Sequence, residues 1–373
     1  MPQAEAGALR FASEGNSVAK YLRFLFSVTT LATASGAGLA DAFEFALLGD
    51  NPYSSATYDK YIRMIDQVNA QTDIAWVIHL GDVKGGGDSC SDEEFNRRFD
   101  LNQRFQPPFL LTPGDNDWLD CKRGGAGGFN EYERLAHFRE IFYPTPGYST
   151  GGNPMPVRQQ SEDSEFSEFV ENAMWQREGV VFATVHVVAL TVAATDPQQL
   201  ERRNAAATAW IEAAFAKARQ TDASGVFLAM QADPWIVWGL PALTRQACAS
   251  CLDPRVSLEW LYPLLAEQSL AFGKPVVLAV GDTHIFRVDK PLYSSRRQLV
   301  ENFTRVEGFG NPLVHWINVL VESVNSSGTR RITAKTGVLL PRQICRRRAG
   351  SDRCFQDARA CRFRLWLFSR VRH

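Results

Sequence analysis

The sequence has 373 residues, 45% of them hydrophobic and 22% charged, which is ordinary for a globular protein and excludes a chain that is mostly disordered or mostly membrane. That length can bury a large core, in one big domain or two small ones. The net charge of −1 conceals an asymmetry. From Pro341 to the end there are ten Arg against two Asp, a net of +8, so the remainder carries −9. A mildly acidic body gives no nucleic-acid surface.

Taken in order, the chain begins with a pattern of export. Lys20 and Arg23 precede the apolar run Phe24–Ala32, small residues follow, and Ala40-Asp41-Ala42 fits a cleavage site just before Phe43. Residues 1–42 are therefore read as an N-terminal extension and signal peptide, with a buried N-terminal helix as the alternative. The run is too short to span a bilayer, so no transmembrane segment is expected in the mature chain.

From Phe43 the order is strand, helix, strand, helix, strand. Phe45–Leu48 ends in Gly49-Asp50. Tyr58, Tyr61, Ile62, Ile65 and Val68 then share a helical face that Ser54 or Ser55 would cap. Trp76–Leu80 ends in Gly81-Asp82, the glycines at 85–87 loosen the next loop, and Asp92–Phe105 reads as a helix. Leu110–Thr112 runs into Pro113-Gly114-Asp115-Asn116-Asp117, and Glu131–Phe142 is amphipathic. This alternation implies parallel strands.

Tyr143–Glu171 is rich in Pro, Gly, Ser and acid and reads as a long excursion, a candidate lid. Val180–Leu190 is a strand, Pro197–Gln220 an Ala-rich helix, and Gly225–Met230 a strand leading to Gln231. Leu258, Leu261, Leu265 and Leu270 line a helix before Val276–Val280, which ends in Gly281-Asp282-Thr283-His284. Trp316–Val324 is expected to be the final strand. The body is thus placed at 43–340. Residues 341–373, opened by Arg346-Arg347-Arg348, read as a basic disordered tail, with anion or lipid-headgroup binding as its alternative.

Four apolar strands closed by Gly-Asp are the main signal. Glycine permits the tight turn, and aspartate sets a carboxylate at the strand's carboxyl end, where open α/β sheets keep their sites. Asp50, Asp82, Asp115, Asn116, Gln231, Asp282 and His284 are all oxygen or imidazole donors. Clustered carboxylates repel one another unless a cation sits among them. Oxygen donors suit Mg, Mn and Ca, and one imidazole turns the choice towards Mn, Zn or Fe. Lys84 and Arg287 lie close to site turns and are candidate substrate-binding residues for a phosphate, with a solvated surface charge as the alternative. His79 and His186 lie within strands and read as packed core histidines.

Seven cysteines suit an oxidising compartment. Cys90 and Cys121 each follow a Gly-Asp turn, so a disulfide between them would pin two loops of one rim. Cys248 and Cys251 form C-x-x-C without a second ligand pair and read as a local disulfide. Asn302-Phe303-Thr304 and Asn325-Ser326-Ser327 match the glycosylation sequon.

With these blocks in hand, the chain resembles the calcineurin-like metallophosphoesterases from Phe43 to about Arg287. Their blocks run D-x-H, G-D-x-x, G-N-H-[DE], a lone His, then G-H-x-H. Asp50, Gly81-Asp82, Gly114-Asp115-Asn116-Asp117, Gln231 and Gly281-Asp282-Thr283-His284 stand at them in that order. The resemblance implies a four-layer α/β/β/α sandwich. It further implies one or two divalent ions (Mn, Mg, Fe, Zn or Ca) held by Asp50, Asp82, Asp115, Gln231, Asp282 and His284, and hydrolysis of a phosphoester substrate, with Asn116 and His284 at the catalytic positions. It also places Asn116 on the substrate phosphate. The departures are Pro52 for the first His, Asp115 for Asn, Asn116 for the family's catalytic His, and Gln231 and Asp282 for two His ligands. They motivate two alternatives, a catalytically weak extracellular binding protein on this scaffold and a structural metal site.

Overall fold

The computed structural model describes residues 42–188, 196–235, 258–323 and 330–337. The export segment, Cys248, Cys251, the sequon at Asn325 and the Arg-rich tail with Cys345, Cys354 and Cys361 lie outside the described residues, as does the end of the strand expected to reach Leu190.

The first half of the chain alternates strands and helices. β1 (Phe43–Leu48), β2 (Ile74–His79) and β3 (Pro108–Leu111) are parallel and adjacent, joined by α1 (Ser55–Asn69) and α2 (Asp92–Asn102). Ser54 caps α1 in a capping box with Thr57, and the Ser91 hydroxyl accepts the Glu94 N–H to start α2. Helix α3 (Glu131–Phe142) follows, capped by Asn130.

The excursion after α3 is no lid. Its short strands β4 (Thr150–Gly151) and β5 (Arg158–Gln159) pair with β3 and with β6 (Ala173–Arg177), so the segment carries the chain from the edge of one sheet to the edge of the other. The second sheet continues through β7 (Val180–Thr184), α4 (Pro197–Gln220), β8 (Gly225–Ala229), α5 (Leu261–Phe272) and β9 (Val276–Val280). It ends in β10 (Arg287–Asp289) and β11 (Phe303–Glu307). The chain then returns to the first sheet as β12 (Trp316–Ser323) and β13 (Arg330–Gly337). Among the described residues the first sheet has the order β13-β12-β1-β2-β3-β4 and the second β10-β11-β9-β8-β7-β6-β5.

Alternation along each strand explains the layers. In β1, Phe43, Phe45 and Leu47 point between the sheets. There they meet Trp76 and Ile78 of β2, and Phe182, Phe227 and Val277 of the second sheet. Ala46 and Leu48 point the other way, onto Tyr61, Met64, Ile65, Phe95 and Phe138 of α1–α3. On the far side, Val226, Leu228 and Leu278 pack on Trp210, Ile211 and Phe215 of α4 and on Leu261 and Leu265 of α5. Three cores between four layers give the α/β/β/α sandwich that the resemblance implies. Each fully buried large apolar side chain contributes about 1.5–3 kcal/mol.

Several boundaries differ from expectation. β7 stops at Thr184, and Leu270 is exposed because α5 turns that face to solvent. Trp316–Ser323 is followed by β13, so it is not the final strand. The Asn302 amide donates to Ser269 O at 2.7 Å and Lys274 O at 2.8 Å, a structural strap rather than an open glycan acceptor.

Candidate active site

The parallel strands end at one edge of the sandwich, and their polar residues meet there across the two sheets. Asp50 follows β1, Asp82 follows β2, Asp115 follows β3, Gln231 follows β8 and Asp282 follows β9. Asp50 N donates to Gly81 O at 3.0 Å, and Gly281 N to Gln231 O at 2.9 Å, so neighbouring turns are tied together. Asp282 N donates to Asp50 Oδ1 at 3.1 Å and ties the sheets.

The turns are tight. Asp50, Asp82, Asp282 and His284 have φ of 52°, 56°, 75° and 63°, the left-handed region that residues other than glycine seldom occupy. Such backbones persist only where the surroundings hold them, and they gather at functional sites. Glycine allows the closest approaches. A Cβ on Gly114 would stand 1.9 Å from Asp82 Oδ1, and one on Gly281 would stand 2.6 Å from Asp50 Oδ2.

Side chains of seven of the candidates interlock. Gln231 Nε2 donates to Asp115 Oδ1 at 3.0 Å and lies 3.5 Å from both Asp82 Oδ2 and Asp282 Oδ1. Asn116 donates its backbone N–H to Asp82 Oδ1 at 3.1 Å and its Nδ2 to Asp82 Oδ2 at 2.9 Å. His284 Nε2 lies 3.6 Å from Asp50 Oδ1, while its Nδ1 meets Asn311 O at 2.7 Å. The carbonyl at Asn311 can only accept, so Nδ1 carries the proton and Nε2 faces the acids as an acceptor.

One member was missed in the sequence. Tyr53 donates its hydroxyl to Asp82 Oδ2 at 2.9 Å and lies 3.5 Å from Asp50 Oδ1, 3.1 Å from Asn116 Nδ2 and 3.3 Å from His284 Nε2. The signal available was its place three residues after the first Gly-Asp pair. Asp117 also has a defined task. Its carboxylate accepts the N–H groups of Asp82, Val83 and Gly114 at 2.8–2.9 Å and so staples two site turns.

Lys84 and Arg287 are turned to other partners. Lys84 is buried and donates to Gly85 O and Asp88 O, each at 3.3 Å. Arg287 Nε meets Glu307 Oε2 at 2.5 Å, and its Nη2 donates to Thr283 Oγ1 at 3.2 Å. Asn51 spends its amide on Gly49 O and Leu313 O. His79 is buried between Asn51 O and the Gly81 N–H, and burial lowers its pKa to about 4, so it stays neutral. His186 pairs with buried Glu171 at 2.6 Å. Cys90 and Cys121 form the expected disulfide, which joins the loop after Asp82 to the loop after Asp115.

Electrostatics test whether these residues suit a cation. Burial, and then repulsion by the neighbouring acids, push the carboxyls of Asp50, Asp82 and Asp282 well above the usual range. Asp50 Oδ2 and Asp282 Oδ2 are buried acceptors without a hydrogen-bond donor. Among the described residues no three acid, imidazole or thiol groups close into a ready metal-binding group. Tyr53, Asn116 and Gln231 already cover oxygens of Asp82 and Asp115. A side-chain amide presents either its NH₂ or its oxygen on rotation, so the same donor set, oxygen-rich with one imidazole acceptor, fits a hard divalent ion.

Residues 43–187 match the family model of the calcineurin-like phosphoesterases. Over those residues the chain is similar to that family. The match takes in Asp50, Asp82, Asp115 and Asn116, whereas Gln231, Asp282 and His284 lie beyond it. Metal-dependent phosphoester hydrolysis is the family's general chemistry. No curated protein sequence matches the chain significantly. Among solved structures, the chain is similar to PhoD with a TM-score of 0.48 and 12% identity, over 79% of this chain and 65% of that one. It is similar to GAP50, the anchor in the inner membrane complex of Plasmodium, with a TM-score of 0.47 and 10% identity, over 79% of this chain and 84% of that one. It is also similar to a 5'-nucleotidase precursor from Thermus thermophilus with a TM-score of 0.38 and 9% identity, over 79% of this chain and 54% of that one.

Proposed function

We propose that this protein hydrolyses phosphoesters with one or two divalent ions held by Asp50, Asp82, Asp115, Gln231, Asp282 and His284. The observation that carries the reading is the convergence of those side chains from two sheets onto one buried edge, with three carboxyls pushed up by burial and by one another. A bound divalent ion supplies charge stabilisation to phosphoryl oxygens and acidifies a water. The chain's own residues do the rest. Asp117 holds the Asp82 and Gly114 turns rigid. Asn116 presents an amide at the rim, where it can donate to a phosphoryl oxygen as charge develops. His284 faces the cluster with an unprotonated Nε2, because burial lowers its pKa.

Export belongs to the same proposal. It is supported by the order Lys20, Arg23, apolar run and Ala40-Asp41-Ala42, and by a disulfide, which persists in oxidising compartments. Terminal sequencing of protein from its native host tests it, with Phe43 as the expected first residue and an intact Met1 as the contrary result.

A second reading, a metal-free binding protein on this scaffold, is favoured by Tyr53, Asn116 and Gln231 satisfying the acids without an ion. Metal analysis of purified protein followed by a panel of aryl phosphate mono- and diesters with Mn²⁺ separates the two. Asp82→Asn is expected to lower bound metal and abolish turnover. Asn116→Ala is expected to keep metal and lose roughly 10–1000-fold in turnover, the range for a lost oxyanion donor. Wild-type metal content and rate in Asp82→Asn would overturn the first reading.

A further inference from the structure

We propose that Glu307, acting through Thr283, is the residue that positions Asp282 and His284 for a divalent ion; the inference rests on the phosphoesterase reading above. The topology sets the problem. β9 and β11 are parallel neighbours, and β10 lies on the other side of β11, antiparallel to it. The chain from β9 to β10, residues 281–286, must therefore cross the end of β11 at the site edge. Glu307 is the last residue of β11, in register with Val280 of β9 on one side and Arg287 of β10 on the other. It stands beneath the crossing, and the crossing carries Asp282 and His284.

The two left-handed residues of the crossing, Asp282 and His284, flank Thr283. Such backbones need contacts that over-determine them. Glu307 supplies contacts on both sides of His284. Its Oε1 accepts from the Thr283 hydroxyl and, at 3.4 Å, from the Ile285 N–H. Its Oε2 lies 2.5 Å from Arg287 Nε, and Arg287 Nη2 donates to Thr283 Oγ1 at 3.2 Å, so the three side chains form a closed circuit. The chain leaving β11 seats the imidazole from the other side. Gly308 N donates to Val280 O at 2.9 Å, a Cβ on Gly310 would stand 2.5 Å from His284 Cγ, and Asn311 O accepts from His284 Nδ1.

Glu307 is fully buried, and burying a carboxyl is costly unless its oxygens are partnered. Its partners among the described residues, Thr283, Ile285 and Arg287, all belong to the crossing or to the residue after it. The carboxyl's task is therefore the shape of this loop. It also gives Arg287 a place in the site: the guanidinium closes the circuit beneath the loop rather than facing a substrate. Glu307 touches neither Asp282 nor His284 and acts on them at one remove. Both are aimed at one atom, since Asp282 N donates to Asp50 Oδ1 at 3.1 Å and His284 Nε2 lies 3.6 Å from the same oxygen. Without the support beneath Thr283, that convergence would loosen.

Titration calorimetry of the metal-free full chain with Mn²⁺ tests this, beside the ¹⁵N resonances of the His284 imidazole and turnover of an aryl phosphate. Thr283→Val removes the hydroxyl and keeps the shape of the side chain. It should weaken Mn²⁺ binding roughly 10- to 100-fold, the range for a lost partner that orients metal ligands, and shift the imidazole resonances of the metal-free chain. Thr283→Ser restores the hydroxyl and should recover most of the affinity and the wild-type resonances. Glu307→Gln should also weaken Mn²⁺. Combined with Thr283→Val it should lose no more than the worse single variant, because both changes act on one contact. Unchanged affinity and resonances in Thr283→Val, or lower melting with unchanged affinity, overturns the inference, whether or not wild type turns over an ester. A wild type that binds Mn²⁺ with this dependence and hydrolyses no ester removes the phosphoesterase reading and leaves Glu307 as the positioning residue of a metal site. A wild type that binds no Mn²⁺ overturns both.

Discussion

Asp282 donates its backbone N–H to Asp50 Oδ1 across 3.1 Å, joining residues 232 positions apart and the two sheets of the sandwich at the candidate site. The same carboxyl is pushed up by burial, so Asp50 both fastens the sheets and repels its neighbours. Substitution separates these roles. Asp50→Asn keeps an oxygen for the Asp282 N–H and removes the charge. It is expected to unfold at higher urea than wild type when metal-free at pH 8, and to bind less Mn²⁺. Asp50→Ala removes the acceptor too and should fall below Asp50→Asn by about 1–3 kcal/mol, the cost of a buried unpaired donor. Equal urea midpoints for the two variants would contradict the fastening role.

The acids also set the pH dependence of the metal-free chain. A carboxyl with a raised folded pKa holds its proton in the native state after the unfolded chain has released it. Stability therefore falls as pH climbs from the ordinary carboxylate range to the folded value, and stays low above it. Burial raises Asp117 to about 6 and Glu307 to about 9, and raises Asp50, Asp82 and Asp282 as well. Glu171 acts oppositely: despite its burial, Arg139 and His186 hold it down to about 2, so its contribution is lost only in strong acid. Buried His79, whose pKa is lowered to about 4, adds stability as pH rises to the ordinary histidine value, so the metal-free melting temperature should decline from about pH 7 to pH 9, and added Mn²⁺ should raise melting most at the alkaline end. A melting temperature that rises with pH over that interval would refute the account.

What could be read in the chain, and what could not, follows from the chemistry of each position. The Gly-Asp turns were legible because an apolar strand ending in glycine and a carboxylate is a local pattern. β11 was not, since Arg305 and Glu307 interrupt its apolar run. Both are buried only because Asp233 and Asp289 pair with the arginine, and Arg287 and Thr283 with the glutamate. Those partners are distant in sequence. Tyr53 was hidden for the same reason: a tyrosine in a turn has no meaning until Asp82, Asn116 and His284 are brought to it. The proximity of Lys84 and Arg287 to the site turns was legible, but the direction of their side chains was not.

The Cys90–Cys121 bridge closes a separation of 31 residues between two site loops. Its loss in Cys90→Ser/Cys121→Ser should cost about 2–4 kcal/mol, by freeing the unfolded chain. The loop containing Gly85, Gly86 and Gly87 should also become easier to cleave by protease. Unreduced peptide mapping checks the bridge, and denaturation of the double variant checks its contribution. Two free thiols in mature protein would exclude it.

Gly114 and Gly87 make a paired test of how closely the site is packed. At Gly114 a methyl group would stand 1.9 Å from Asp82 Oδ1 and 2.7 Å from the Asp82 nitrogen, so either the carboxylate or the turn must move. Asp82 has little room for that. Its oxygens are held by Tyr53 and Asn116, and its N–H by Asp117. Gly114→Ala should therefore destabilise by about 1–3 kcal/mol, as overpacking does, and lower Mn²⁺ content and turnover together. At Gly87 a methyl group meets nothing within 4 Å. Gly87→Ala should leave metal and turnover at wild-type levels and raise stability by about 0.4–1 kcal/mol, because alanine narrows the unfolded ensemble. Metal analysis, turnover and urea midpoints of both variants decide it. A Gly114→Ala protein that keeps full metal content and rate would show that Asp82 need not sit where it does for the site to work.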